Sequence, residues 1–296
     1  MPFSLGANLP WITYGGDFGA NAWRPQGGLA AQGVSLDAFA LLSDLRGLGV
    51  ESIRWFMFCD GRAGIRFDDD GLPLGLDEYV LRDLDTALQL ASSADVRIVL
   101  TLFDFLFCAA RSHVAGVDTG GHAAAVADLR KREALLARVV TPVLKVFANH
   151  PVVEAWDIMN EPEWAAAGVG QSSMTDFIRE ASALVHATAS QPVTVGLASP
   201  RGLDLVRGAG LDFYQVHWYD KHERETPLRR DVREMNLDRP VVLGEFPTRG
   251  SRFTTDEILR ISSQAGYSGA WFWSINGEDA ASDSDAAIDG LRRWLR

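Results

Sequence analysis

The stretch Glu154-Ala155-Trp156-Asp157-Ile158-Met159-Asn160-Glu161-Pro162 decides how this chain is read. Its apolar run reads as a β-strand, and Pro162, which cannot donate to a sheet ladder, ends it. The Glu161 carboxylate is thereby left at the strand's C-terminal tip with the Asn160 amide beside it. A second stretch, Arg239-Pro240-Val241-Val242-Leu243-Gly244-Glu245-Phe246-Pro247, closes the same way: an apolar run, then Glu, then Pro. Two glutamates on two strand tips organise the rest of the reading.

Working outward, strands and helices alternate. Leu5-Gly6-Ala7-Asn8-Leu9 is a first strand, followed by a loop carrying Trp11, Tyr14 and Trp23. Ser35 is placed to cap a helix over 36–48 whose apolar positions are Leu36, Phe39, Leu42 and Leu45. The second strand, 51–58, is interrupted by Arg54, and Asp68-Asp69-Asp70-Gly71 is turn chemistry before a helical pattern over 76–91. Residues 97–103 form a nearly continuous apolar run, as a parallel strand buried on both faces requires. A long helix is predicted over 126–147, with Pro142 as a kink. Beyond the Asn160-Glu161 strand come a helix over 174–189, a strand over 193–197, a short helical segment after Gly202, a strand over 213–219 and a helix near 228–235. After the Glu245 strand, Thr254 and Glu257 form a capping-box pattern opening a helix to 265. A strand over 269–275 and a helix over 286–295 close the chain. Eight strands alternating with helices predict an α/β fold, a single (β/α)8 TIM barrel that makes one catalytic domain of residues 1–296.

Composition excludes several classes. Apolar residues make up 47% of the 296, enough for a large core and against disorder. The formal charge is −11, and the one dense basic cluster, Arg130-Lys131-Arg132, reads as a solvated helix face, so nucleic acid and anionic membrane surfaces are poor partners. No apolar run reaches transmembrane length. Met1-Pro2-Phe3-Ser4 has no basic leader region, which leads us to expect a cytoplasmic protein, or a secreted one whose leader has been removed. Two cysteines do not make a disulfide framework, and Cys59 and Cys108, after neighbouring strands two and three, are expected to be free thiols.

In a (β/α)8 barrel the C-terminal strand ends carry the chemistry. Here they hold Asn8, Arg54, Asp104, Asn160, Glu161, His217, Tyr219, Glu245 and Ser274. Glycosidic bond cleavage needs a proton for the leaving oxygen and a group to trap the oxocarbenium-like carbon, and a carboxylate pair does both. A lone strand-end Glu is more often a salt-bridged structural acid. Two of them, on strands four and seven in matching Pro-terminated contexts, point to catalytic Glu161 and Glu245. Arg54 shares strand parity with Phe56 and Phe58 and so faces the barrel interior, where a guanidinium needs a carboxylate. Glu245 is the first choice and Asp157 the second, and pairing with Glu245 would hold that acid ionised. His217 and Tyr219 share a strand face, the one suited to orient sugar hydroxyls, the other to hydrogen-bond a nucleophilic carboxylate. The six histidines show no ligand-like spacing, so a metal site is not expected. Trp273 is the candidate platform for a sugar ring and Trp271 a core residue; Trp11, Trp23 and Trp164 lie in mouth-side loops, where ordinary packing explains them equally well.

With these residues in place, the chain resembles glycoside hydrolase family 5 and, more broadly, the clan A barrel glycosidases, over nearly its whole length. "AWDIMNEP" looks like the family's strand-four signature, which implies acid/base duty for Glu161 and a sugar 2-hydroxyl contact for Asn160. "VVLGEFP" looks like its strand-seven nucleophile, Glu245. Ile53-Arg54, His217-Trp218-Tyr219 and Phe272-Trp273-Ser274 match its Arg, His-x-Tyr and Trp positions, and "HPVVEAWDIMNEP" with "GAWFWSI" leans towards mannanase-like members. Many members carry a His after strand three, where this chain has Phe103-Asp104-Phe105.

The expected activity is retaining hydrolysis of a β-linked oligo- or polysaccharide of mannan or glucan type, with no cofactor. A catalytically silent sugar-binding barrel and a transglycosylase on the same site are the alternatives. A Schiff-base aldolase would need a strand-borne lysine, and Lys131, Lys145 and Lys221 do not supply one. Retention predicts a short separation between the two carboxyls, a Glu161 held protonated above the usual glutamate range and an anionic Glu245.

Overall fold

The computed structural model describes residues 3–31, 33–277 and 279–296. Met1 and Pro2, which entered the leader argument, lie outside the described residues. The eight barrel strands are β1 (Ser4–Leu9), β2 (Ser52–Phe56), β3 (Arg97–Asp104), β4 (Val153–Asn160), β5 (Val193–Leu197), β6 (Tyr214–His217), β7 (Val241–Pro247) and β8 (Gly269–Trp273). All pair in parallel with their sequence neighbours, and β8 pairs with β1 to close the barrel. Closure removes every sheet edge, and the helices between strands cover the outer face. Among the described residues, no helix is long and apolar enough to cross a membrane.

The barrel interior is built in two storeys. Near the N-terminal strand ends, Val99, Ala155, Val242 and Trp271 form an apolar plug of their own, with Phe213 packed against it. Gly6 makes this plug possible, because a Cβ there would overlap Trp271 Cδ1. Above the plug the interior turns polar: Asn8, Arg54, Thr101, Asp157, Thr194 and Gln215 are all fully buried. Register sets this polar storey level around the barrel, with Asn8 opposite Arg54, Thr101 opposite Asp157, Asp104 opposite Asn160 and His217 opposite Glu245.

Several helices differ from the sequence expectation. The first runs Val34–Gly47, begins after Gly33 with no side-chain cap from Ser35, and buries Ala38, Leu42 and Leu45. Leu36 and Phe39 are instead 74% and 38% exposed, because the stripe that meets the barrel is offset from them around the helix. The second helix is Val80–Ser93, since Leu76 belongs to a small hairpin, Ile65–Phe67 with Pro73–Leu76, turned by the Asp68–Gly71 loop. The long helix over 126–147 is interrupted twice. Asp128 leaves helical geometry and caps Leu129–Leu135, its carboxylate accepting from Lys131 N. A π turn at Leu136–Val140 then precedes Pro142, which lacks the N–H that would bond one turn back. The expected helix near 228–235 is reduced to a 3-10 turn at Val232–Met235 that buries none of its residues, so packing gives no reason to lengthen it. A helix not anticipated, Pro162–Val169, starts directly on Pro162 and carries Trp164. Cys59 and Cys108 are free, and burial pushes both thiols up, Cys108 to about 12.

Candidate active site

The C-terminal strand ends surround a cleft of about 460 Å³ lined by Glu161, Glu245, Asn160, Asp104, Tyr219, Trp11 and Trp273. At its floor Arg54, fully buried, joins four strands. Its Nη1 donates to Glu245 Oε1 at 2.7 Å and to Asn8 Oδ1 at 3.1 Å, its Nε to Asp157 Oδ2 at 2.7 Å, and its Nη2 to Asn160 Oδ1 at 2.9 Å. The sequence offered Glu245 or Asp157 as its partner, and the planar fork reaches both. Asp157 is satisfied further by Thr101 Oγ1 at 3.0 Å and Gly196 N at 3.1 Å. Gly196 is needed where it stands, since a Cβ there would overlap the Arg54 Nη2 atom.

Glu245 is buried, and its second oxygen accepts from the Tyr219 hydroxyl at 2.8 Å. Burial and the Glu245 charge push the Tyr219 hydroxyl well above its ordinary range, so it remains a donor. Glu161 ends β4 in a left-handed backbone conformation, φ 46° and ψ 51°. That conformation costs a non-glycine residue about 1 kcal/mol or more, and such strain gathers where a side chain has to be aimed. The aim is set by Trp164, whose Nε1 donates to Glu161 Oε2 at 2.8 Å, and by His217, whose Nδ1 lies 2.9 Å from Glu161 Oε1. The same His217 atom is 3.4 Å from Glu245 Oε2. Both neighbours are carboxylates, so Nδ1 carries the ring proton. One oxygen of each glutamate and this nitrogen all lie within 4.8 Å of one another. By distance the trio also matches a cation site, but Arg54 and Tyr219 already direct donors at both Glu245 oxygens, and the guanidinium opposes a second positive charge.

The proton balance differs from the sequence expectation. Burial pushes Glu161 up, but the His217 hydrogen bond and charge, the Trp164 hydrogen bond and Lys221 outweigh it and hold the carboxyl below the usual glutamate range. Burial and the Glu161 charge push Glu245 up, and His217, Arg54 and Tyr219 only partly oppose them. The expected order of the two acids is therefore reversed. Burial raises both acids and the His217 charge lowers both, but His217 stands closer to Glu161 and hydrogen-bonds it alone.

The remaining sequence candidates fall into place unevenly. Trp273 lines the cleft, held by its Nε1 donating to Asp279 Oδ2 at 2.7 Å and by Phe56 at a ring distance of 6.1 Å. Trp11, just past β1, also lines the cleft, edge-on to Tyr14 at 5.0 Å. Trp164 stands on a helix rather than in a loop, its ring exposed beside Lys221. Trp23 lies outside the cleft. Trp271 is in the plug, as expected of a core residue. Ser274 is buried on Ser282, away from the cleft lining. Sequence reasoning missed Gly196, Lys221, and the Asp60–Arg62 pair that follows β2 and forms one wall. The run Asp60-Gly61-Arg62 just past a strand tip was a signal for the last of these.

No family model matches the chain. Sequence comparison finds a mannan endo-1,4-beta-mannosidase of Mytilus edulis, 25% identical over 92% of this chain and 83% of that one. An enzyme of the same name from Cryptopygus antarcticus is 24% identical over 95% and 82%. This chain is a glycosidase that resembles the family 5 mannanases. Among solved structures, the endo-1,4-beta-mannanase of Eisenia fetida superposes on this barrel with a TM-score of 0.83 at 23% identity, covering 100% of this chain and 91% of that one. The beta-mannanase of the blue mussel gives 0.81 at 24%, covering 100% and 92%. These two likenesses bear on the fold. The site of this glycosidase is described by its own side chains.

Proposed function

We propose that the protein cleaves β-1,4-linked mannose polymers within the chain, with retention of configuration, Glu245 acting as nucleophile and Glu161 as acid and then base. The observation that carries this reading is the approach of the two glutamates, one oxygen of each within 4.8 Å of the other. Retaining enzymes hold their carboxyls about 5–5.5 Å apart, whereas inverting ones leave about 6.5–9.5 Å for a water. Mannan is favoured over glucan by the named activity of the sequence relatives. Internal cleavage is favoured by a second hollow of about 490 Å³ that shares Arg62 with the cleft wall and offers room for sugar units beyond the bond broken.

In the first step Glu245 attacks the anomeric carbon while Glu161 protonates the leaving oxygen, giving a covalent glycosyl–Glu245 ester. Arg54 and Tyr219 hold the two Glu245 oxygens in line for attack. Glycosylation removes the Glu245 charge, and Glu161 then takes a proton from the water that hydrolyses the ester. His217, within 3.4 Å of both acids, bridges the two carboxyls between which the proton balance has to change during turnover.

The anomer of the first product, followed by NMR at early time on a β-1,4-mannan, tests the mechanism. β product is expected; α product means inversion and removes Glu245 from the nucleophile role. Glu161→Ala is expected to slow mannan far more than an activated aryl β-mannoside, whose leaving group needs no proton. Equal losses on the two would remove Glu161 from the acid role.

A further inference from the structure

Asp104 lines the cleft and takes no part in the steps above. It ends β3 opposite Asn160 and is buried. Each of its oxygens already accepts one hydrogen bond. Oδ1 accepts from Leu106 N at 2.8 Å, because Asp104 caps the 3-10 turn Phe105–Cys108. Oδ2 accepts from Asn160 Nδ2 at 2.7 Å. The Asn160 carbonyl oxygen accepts in turn from Arg54 Nη2 at 2.9 Å, and Arg54 Nη1 reaches Glu245 at 2.7 Å. Asn160 is thus fixed at both ends, its acceptor end by Arg54 and its donor end by Asp104. A carboxylate has about four lone-pair sites, so Asp104 keeps acceptor capacity after binding Leu106 and Asn160.

We propose that Asp104 is a specificity-determining residue of the cleft, fixing the Asn160 amide and accepting hydroxyl hydrogens of the sugar bound across Glu161 and Glu245. This rests on the reading of the cleft as a glycosidase site. The role demands the ionised form, because an ionised acceptor makes the stronger hydrogen bond to a neutral hydroxyl. Burial, with the charges of Glu161 from β4 and Glu245 from β7, pushes the Asp104 carboxyl up to about 7 despite its two hydrogen bonds. The other groups around it are Cys59, Asp60 and Arg62 after β2, Cys108 after β3, and Arg54 through Asn160. The two thiols are pushed up by burial and stay neutral. Glu163, two residues beyond Glu161, is likewise pushed up to about 7 by burial, so the pH effect of Asp104 is the part that Asp104→Asn removes: affinity for sugar falls as pH falls through about 7.

The test is steady-state kinetics of wild type and Asp104→Asn on a β-1,4-manno-oligosaccharide between about pH 6 and pH 8. Loss of one charge-assisted hydrogen bond corresponds to about tenfold in affinity. The expected result is a KM raised about tenfold at pH 8 in Asp104→Asn, with kcat changed less than about threefold and the wild-type rise of KM towards pH 6 flattened. Unchanged KM, or a loss confined to kcat, overturns the proposal. Should Asp104→Asn fail to fold, as judged by its melting curve, Asp104→Ser is measured in its place with the same expectations. If wild type hydrolyses no β-mannan, the functional reading fails by itself. Calorimetric binding of the oligosaccharide then decides on Asp104: about tenfold weaker binding by the variant supports it, while equal binding or none by either protein overturns it.

Discussion

The two storeys of the barrel interior are made by the same strands and held by opposite physics. β4 contributes Ala155 to the plug and Asp157, then Asn160, to the polar storey; β7 contributes Val242 and then Glu245; β8 contributes Trp271 and then Trp273. In the lower storey the side chains are apolar and packing suffices, with Gly6 giving up its Cβ to Trp271. In the upper storey the buried side chains are mainly charged or polar, and four of them, Asn8, Asp157, Asn160 and Glu245, are held through Arg54. A close-packed plug can lose atoms locally. A hydrogen-bonded charge cluster fails as a unit, because removing one partner strands the others in a medium that disfavours bare charge.

That contrast is open to attack from both sides. The largest effect is expected at Glu245→Gly, with hydrolysis falling by about 10⁴-fold or more, as removal of a nucleophile typically gives. Azide or formate should partly restore turnover by filling the vacated space, and a variant that keeps appreciable activity without them would break the assignment. Next comes Arg54→Met, which leaves Asp157 and Glu245 as buried acids without their cation. Denaturant unfolding should show a loss of about 3–5 kcal/mol, and a loss below about 1 kcal/mol would mean the storey tolerates unpaired charge.

Trp271→Ala in the plug should cost about 3 kcal/mol through lost burial and cavity formation, with kcat per folded molecule unchanged. Trp271 Nε1 is buried with no hydrogen-bond partner among the described residues. Trp271→Phe should therefore be nearly neutral in stability, and a loss as large as that of the Ala variant would reveal a hidden partner for the indole. The smallest effect is a shift along the pH axis. His217 holds Glu161 below the usual glutamate range, so His217→Asn lets the Glu161 carboxyl rise. The basic limb of kcat/KM, where Glu161 loses its proton, should then move to higher pH while overall activity drops. A limb that stays in place would show that His217 does not control this acid.

Much of this was legible in the chain, for reasons that are local. Each barrel strand is a short apolar run with its own terminators, and Pro162 and Pro247 mark where β4 and β7 stop. Trp271 and Trp273, two residues apart, were separated correctly into core and cleft by position along the strand alone. The helices were harder. The face that the first helix buries depends on how it lies against the barrel, and that moved Leu36 and Phe39 to the surface. The Leu36–Gly49 pattern is apolar on more than one side, so periodicity could not choose. The 228–235 segment has few apolar residues, and only its place beside the barrel shows that it remains a turn.

The sequence by itself determined the barrel, the pair of glutamates and the polar residues at the strand tips, because strand periodicity and chain-breaking prolines act over a few neighbouring residues. The tertiary structure decided which acid Arg54 serves, how far apart the glutamates stand and which of them binds a proton more readily. Those depend on strand register, on the space left by Gly196 and on a difference of a few tenths of an ångström in the reach of His217. Electrostatic energies in a buried site vary steeply with such distances, and distances between residues far apart in the chain exist only once the barrel has closed.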